Sequence, residues 1–194
     1  MDPIYDRNKM DAAQISPVDR IKGYEASLED GGPDVGHVFG APNEYESLTR
    51  FFGAQSDLIH NMLNGNKLDD KVLIVPEDVQ EDVPDRDLQY LEDRGVLVQT
   101  PDRELYTTAD DWKSARDIAG EGDRIHGYTS DYHGLKTHIT GKVSLDFFGE
   151  NTVHTFGFDT ERDERENILK HNMLAQTGDT VRQLYKMATS DKNY

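Results

Sequence analysis

Apolar residues keep helical spacing over one long stretch, between Asn43 and Gly65. Leu48, Phe51, Phe52, Leu58, Ile59, Met62 and Leu63 recur there at the intervals of a helix that buries one face. Asn43 is a good N-cap, Glu46 follows three residues on as the reciprocal partner of a capping box, and Gly65 ends the run. Two-residue alternation is clean from Thr137 to Phe147. Ile139, Val143, Leu145 and Phe147 fall on one side, and Thr140, Lys142, Ser144 and Asp146 on the other. With Gly149-Glu150-Asn151 as a turn and Thr152 to Phe158 returning, this pattern predicts a long β-hairpin.

Shorter signals fill the intervals. Lys71 to Val75 reads as a buried strand, and Asp85 can cap a helix from Arg86 to Arg94 that buries Leu88 and Leu91 and stops at Gly95. Val96 to Gln99 reads as a strand, Pro101-Asp102 as a turn, and Leu105 to Thr107 as the returning partner. Thr108 with Asp111 opens a helix through Trp112, Ala115 and Ile118. Gly122 to Gly134 reads as a loop rich in Tyr and His. Thr160 with Asp163 opens a helix through Ile168 and Met173, and Thr180 starts a last one with Val181 and Leu184.

Residues 1 to 42 carry neither period. Pro3, Pro17, Pro33 and Pro42 alternate with Gly31-Gly32 and Gly36, and apolar residues stand singly. That spacing predicts an extended arm laid on a surface, with more anchors than a disordered tail carries. The expected architecture is therefore α+β: an extended N-terminal arm (1–42), then a single domain (43–194). In that domain a small antiparallel sheet with one long β-hairpin is flanked by helices.

Charge changes the picture most. Among 194 residues, 38 are Asp or Glu and 21 are Lys or Arg, a net charge of −17 spread along the whole chain. Self-repulsion of that size strains a compact state, and salt relieves it, since the Debye length falls to about 3 Å at 1 M. The excess of Asp over Glu, the sparse Lys and Arg and the absence of Cys resemble proteins of salt-in halophiles, the haloarchaea and their viruses. The resemblance is one of composition and singles out no family; an ordinary acidic protein is the alternative. Without Cys, disulfide and thiolate chemistry are excluded. The first residues lack a basic start and an apolar stretch, so no secretory signal is expected. The longest aliphatic run, Val72 to Val75, is far short of a membrane span.

Candidate chemistry is sparse. The stretch from Asp85 through Arg94-Gly95-Val96-Leu97 to Thr108 resembles the end of a winged-helix domain, where a recognition helix is followed by a two-stranded wing. Eight acids between Glu77 and Arg94 face only Arg86 and Arg94, and such a helix repels a phosphate backbone. His126, His133, His138 and His154 could together offer imidazoles to a divalent metal, but their spacing matches no zinc pattern and reads as surface or loop histidines. Asp69-Asp70, Asp110-Asp111 and Asp163-Glu164 read as solvated faces. There is no G-x-S-x-G, and Gly120-Glu121-Gly122 is no phosphate loop. Neither an enzyme nor a cofactor is expected.

Phe147 and Phe148 are adjacent and would point to opposite faces of a strand, so one of them needs a cover, from a helix of this chain or from a neighbour. Together with the arm, this leads to an expected structural assembly subunit of a haloarchaeal virus particle: capsid-associated, head–tail connector or tail. Its partners would be copies of itself and other virion proteins, with no membrane and no sequence-specific nucleic acid. Ile4, Tyr5, Ile15, Tyr24, Val38, Phe39 and Phe148 are the expected interface residues. The alternative is a cytoplasmic halophilic regulator with a winged-helix-like module.

Overall fold

Val35–Val38 forms the middle strand, β1, of a five-stranded sheet with the order β3-β2-β1-β4-β5. The computed structural model describes residues 32–101, 107–147, 151–158 and 181. In chain order these hold β1, α1 (Glu44–Leu63), β2 (Val72–Ile74), α2 (Glu77–Asp82), α3 (Asp85–Glu92), β3 (Leu97–Gln99), α4 (Thr108–Ile118), β4 (Arg124–Ser130), α5 (Asp131–Gly141), a π-helical extension (Lys142–Phe147) and β5 (Thr152–Phe158). Every strand pairing is parallel.

That arrangement overturns the expected α+β chain with an antiparallel sheet and a long hairpin. The strand predicted over Thr137–Phe147 is helical, and β5 pairs with β4, inside a stretch expected to be a loop. The cause lies in what α5 buries. Among its described side chains Gly134, Thr137, Thr140 and Gly141 are buried, at helical spacing, while Ile139 is 36% exposed. These small residues make room for Trp112. A Cβ on Gly141 would stand 2.7 Å from the indole, one on Gly127 of β4 would stand 2.6 Å from it, and the indole N–H donates to the Thr137 carbonyl at 2.9 Å. A reading that weighs apolar residues alone misses a helix whose buried side is threonine and glycine.

β1 falls within the stretch read as an arm. Four residues beside Gly32, Pro33 and Pro42 are too few to display a period, although all four are buried. Other expectations agree with the structure. α1 spans the expected run, with Asn43 Oδ1 accepting from the Glu46 N–H at 3.0 Å. The helix after Asp85 and the strands at 71–75 and 96–99 are present as α3, β2 and β3. The segment resembling a winged helix is thus α3 with β3, and β3 pairs in parallel with β2. The returning strand at Leu105–Thr107 and the helices from Thr160 and Thr180 lie, apart from Thr107 and Val181, outside the described residues.

Helices cover both faces. On one, Leu48, Phe51 and Leu58 of α1 and Val79 of α2 pack on Val38, Leu73, Tyr128, Phe156 and Phe158. On the other, Trp112 and Ala115 of α4, with Leu145, pack on Val35, Ile74, Ile125 and Val153. At the amino edge, the Asp34 carboxylate ties three strands. It accepts from the Arg124 backbone N–H at 3.0 Å, from Nε at 3.0 Å and from an Nη at 3.1 Å, and pairs with Lys71 Nζ at 2.5 Å.

Burial alone would raise the pKa of Asp34, but the donors from Arg124 and Lys71 outweigh it and hold the carboxyl well below the usual carboxylate range. A group lowered on folding stabilises above its unfolded pKa of about 3.9 and loses that contribution as pH falls through the folded value. The stability gap between wild type and Asp34→Asn, read from urea midpoints, will therefore be widest above pH 5 and close on acidification. A gap constant down to pH 2 would contradict this account of Asp34.

Candidate functional site

From β1 the chain turns onto the face of α1; from β4 it turns onto the opposite face, into α5. Neighbouring parallel strands whose connections leave in opposite directions open a crevice outside their carboxyl ends. Its walls here are the Phe39–Asn43 connection and the junction of Ser130 with α5.

Arg50 lies beneath that crevice, 1% exposed, and every guanidinium nitrogen donates to a protein oxygen. Nη1 reaches the carbonyls of Phe39, at 3.2 Å, and Gly40, at the end of β1. Nε and Nη2 reach Ser130 Oγ, at the end of β4, at 3.0 and 2.8 Å. Nη2 also pairs with Glu46 Oε2 at 2.9 Å, and Ser130 Oγ donates to the same oxygen at 2.8 Å. One side chain on α1 thus fastens together the two strand ends that diverge. Glu46 is 1% exposed and one turn away, so the pair is a buried i,i+4 ion pair with its hydrogen bonds satisfied.

Further down the same interface, Asp57 of α1 accepts from His126 Nδ1 at 2.8 Å, from the Tyr128 hydroxyl at 2.7 Å and from Asn61 Nδ2 at 3.1 Å. Burial, then the charge of Asp57 and its hydrogen bond, push the Tyr128 hydroxyl well above its ordinary pKa, so it stays a neutral donor. Across the sheet, His37 Nε2 pairs with Asp111 Oδ1 at 2.9 Å, and the edge of the Phe39 ring packs against the imidazole with centroids 5.0 Å apart. These are cross-links between strands and helices, each shut inside the core.

Several expected residues take other places. Val38 lies in β1 and Phe39 just after it, at 0% and 4% exposure, one in each core. Ile4, Tyr5, Ile15, Tyr24 and Phe148 lie outside the described residues. His126 and His154 stand side by side on β4 and β5, with rings 5.2 Å apart, while His133 and His138 belong to α5 on the other face. The four are therefore not one group, and among the described residues no three potential metal ligands converge. Asp111, expected on a solvated face, is buried against His37.

Arg50 and Ser130 went unrecognised in the sequence, and Glu46 was read only as a capping-box residue. Their signal was present: Glu46, Arg50, Asp57 and Asn61 form a polar stripe at helical period beside the apolar stripe of α1. A helix with both stripes inward buries much more than one face.

Comparison with known families, with curated proteins and with solved structures finds no match in any of the three. Among the described residues, no helix is long and apolar enough to cross a membrane.

Proposed function

We propose that this protein binds a small organic molecule in the crevice between the carboxyl ends of β1 and β4. The observation that carries this reading is the strand order β3-β2-β1-β4-β5, which reverses the direction of chain growth between those two strands. The Arg50–Glu46–Ser130 cluster supports it by giving the crevice a stiff polar floor where an ordinary core would place aliphatic side chains.

Of the interface expected for an assembly role, Val38 and Phe39 are core residues, and Ile4, Tyr5, Ile15, Tyr24 and Phe148 lie outside the described residues. Any truncation that tests it must stop at residue 31, because removing 1–42 also deletes the central strand.

A thermal-shift screen with small polar molecules tests the binding reading. A ligand at 100 times its Kd adds about 2.7 kcal/mol of stability, and hits will raise the Tm of wild type but not of Gly40→Val. Gly40 is exposed in the connection that walls the crevice, so a valine there adds bulk to that wall and leaves the core untouched. Hits that stabilise both proteins equally would place binding elsewhere.

A further inference from the structure

We propose that Asn64 is a site of spontaneous covalent modification: its side-chain amide is lost to attack by the Gly65 backbone nitrogen, and aspartate or isoaspartate takes its place. The inference is independent of the crevice, for Asn64 stands at the other end of α1 from Asn43. Asn64 is the only asparagine in the sequence that precedes a glycine. Both residues are exposed, and a Cβ on Gly65 would meet nothing within 4 Å. With no side chain on the attacking residue and open space around it, the Gly65 nitrogen can reach Asn64 Cγ once the backbone turns. Attack between neighbours in one chain needs no encounter of two molecules, so geometry alone holds it back.

The folded turn supplies that restraint. Asn64 is the C-cap of α1, with φ −88° and ψ 11°. A ψ so near zero aligns the Gly65 nitrogen with the nitrogen of Asn64, well to one side of the Cβ that carries the amide. The Gly65 N–H donates to the Met62 carbonyl at 3.0 Å, and Asn64 Nδ2 donates to the His60 carbonyl at 2.8 Å. Both bonds must break before the ring closes. They belong to the exposed last turn of a helix, where local opening costs least. Gly65 N then bonds to Asn64 Cγ and gives up its proton, the Cγ–Nδ2 bond breaks, and ammonia leaves. Solvent water opens the resulting imide at either carbonyl. One opening gives aspartate; the other gives isoaspartate, with the main chain rerouted through Cβ.

The product bears on the core as well as the cap. A carboxylate at position 64 has no donor for the His60 carbonyl and sets negative charge at the carboxyl end of α1, against the helix dipole. Isoaspartate also lengthens the main chain just before Asn66. The Asn66 N–H donates to the Asn61 carbonyl at 3.1 Å, and its Nδ2 donates to Asn61 Oδ1 at 3.2 Å. Asn61 in turn donates to Asp57, the carboxylate that accepts from His126 and Tyr128. An exposed cap is thus tied by hydrogen bonds to the buried polar stripe of α1.

The test ages the full chain in mildly alkaline buffer, with and without denaturing guanidinium chloride, and follows the tryptic peptide of residues 51–67 by mass spectrometry. That peptide holds Asn61, Asn64 and Asn66. The mass change of amide to acid will arise at Asn64 ahead of the other two, as a mixture of aspartate and isoaspartate. Denaturant will speed it by about tenfold or more, since no capping bond then has to open. Asn64→Gln will leave the peptide unmodified over the same period, and Asn64→Asp will unfold at a lower urea concentration than wild type. Modification arising first at Asn61 or Asn66, or none at Asn64 even in denaturant, would overturn the proposal. A rate indifferent to denaturant would overturn the restraint by the cap, and an Asn64→Asp midpoint at or above that of wild type would overturn the effect on the fold.

Discussion

Arg50→Met will destabilise the protein by about 3–5 kcal/mol, the usual result of removing one partner of a buried ion pair. Methionine fills much of the volume, so the loss is electrostatic rather than a cavity. Glu46 keeps its charge at 1% exposure and loses the guanidinium that balances it, and the Phe39 and Gly40 carbonyls lose a donor. Two further variants separate charge from geometry. Arg50→Lys restores the charge but not the planar fork that reaches both strand ends, and it will recover only part of the loss. Glu46→Gln combined with Arg50→Met removes both charges and will be more stable than Arg50→Met alone. Urea unfolding measures all three, and a double variant no better than the single one would show that Glu46 does not depend on Arg50.

The second large effect is at Trp112. Trp112→Ala will cost about 3–5 kcal/mol, as large-to-small changes at fully buried aromatic residues do. The indole is 0% exposed, packs edge-on against Phe39 at 5.1 Å, donates to the Thr137 carbonyl, and occupies the space that Gly127 and Gly141 leave. Where Gly127 and Gly141 line the indole there are no side chains to move into the void. Trp112→Phe will keep most of the packing and lose the hydrogen bond, costing about 1–2 kcal/mol. Trp112→Ala within 1 kcal/mol of wild type would contradict the packing of α4 against α5.

How legible the fold was depended on how each element fills its buried side. α1 was readable because an N-cap, a capping-box Glu and an apolar stripe agree. β2 was readable as a short aliphatic run bounded by turns, the usual look of a strand buried on both faces. β4 was not. Its buried residues are Ile125, His126, Gly127, Tyr128, Thr129 and Ser130, a composition that suggests a loop. It is a strand because the helices supply partners: Asp57 for His126 and Tyr128, and Glu46 and Arg50 for Ser130. Those partners sit some seventy to eighty-five residues away in sequence, and no local window contains both halves of a pair.

The site was hidden for the same reason. In a chain with 38 acids, Glu46, Asp57 and Asp111 look like surface charge, and only tertiary structure separates them from the rest. Their positions on α1 and α4 follow helical periods that a count of apolar residues overlooks. The crevice needs still more, since it exists only once strand order is known. A parallel sheet cannot be ordered from the spacing of its strands.

The most direct measurement is amide chemical-shift mapping on the 15N-labelled chain, titrated with the compound that most raises its Tm. The account predicts that the shifts concentrate at Gly40, Ala41, Asn43 and Ser130, around the carboxyl ends of β1 and β4. Shifts confined to the amino edge around Asp34, Lys71 and Arg124, or scattered over the acidic surface of α2 and α3 away from Gly40, would contradict it.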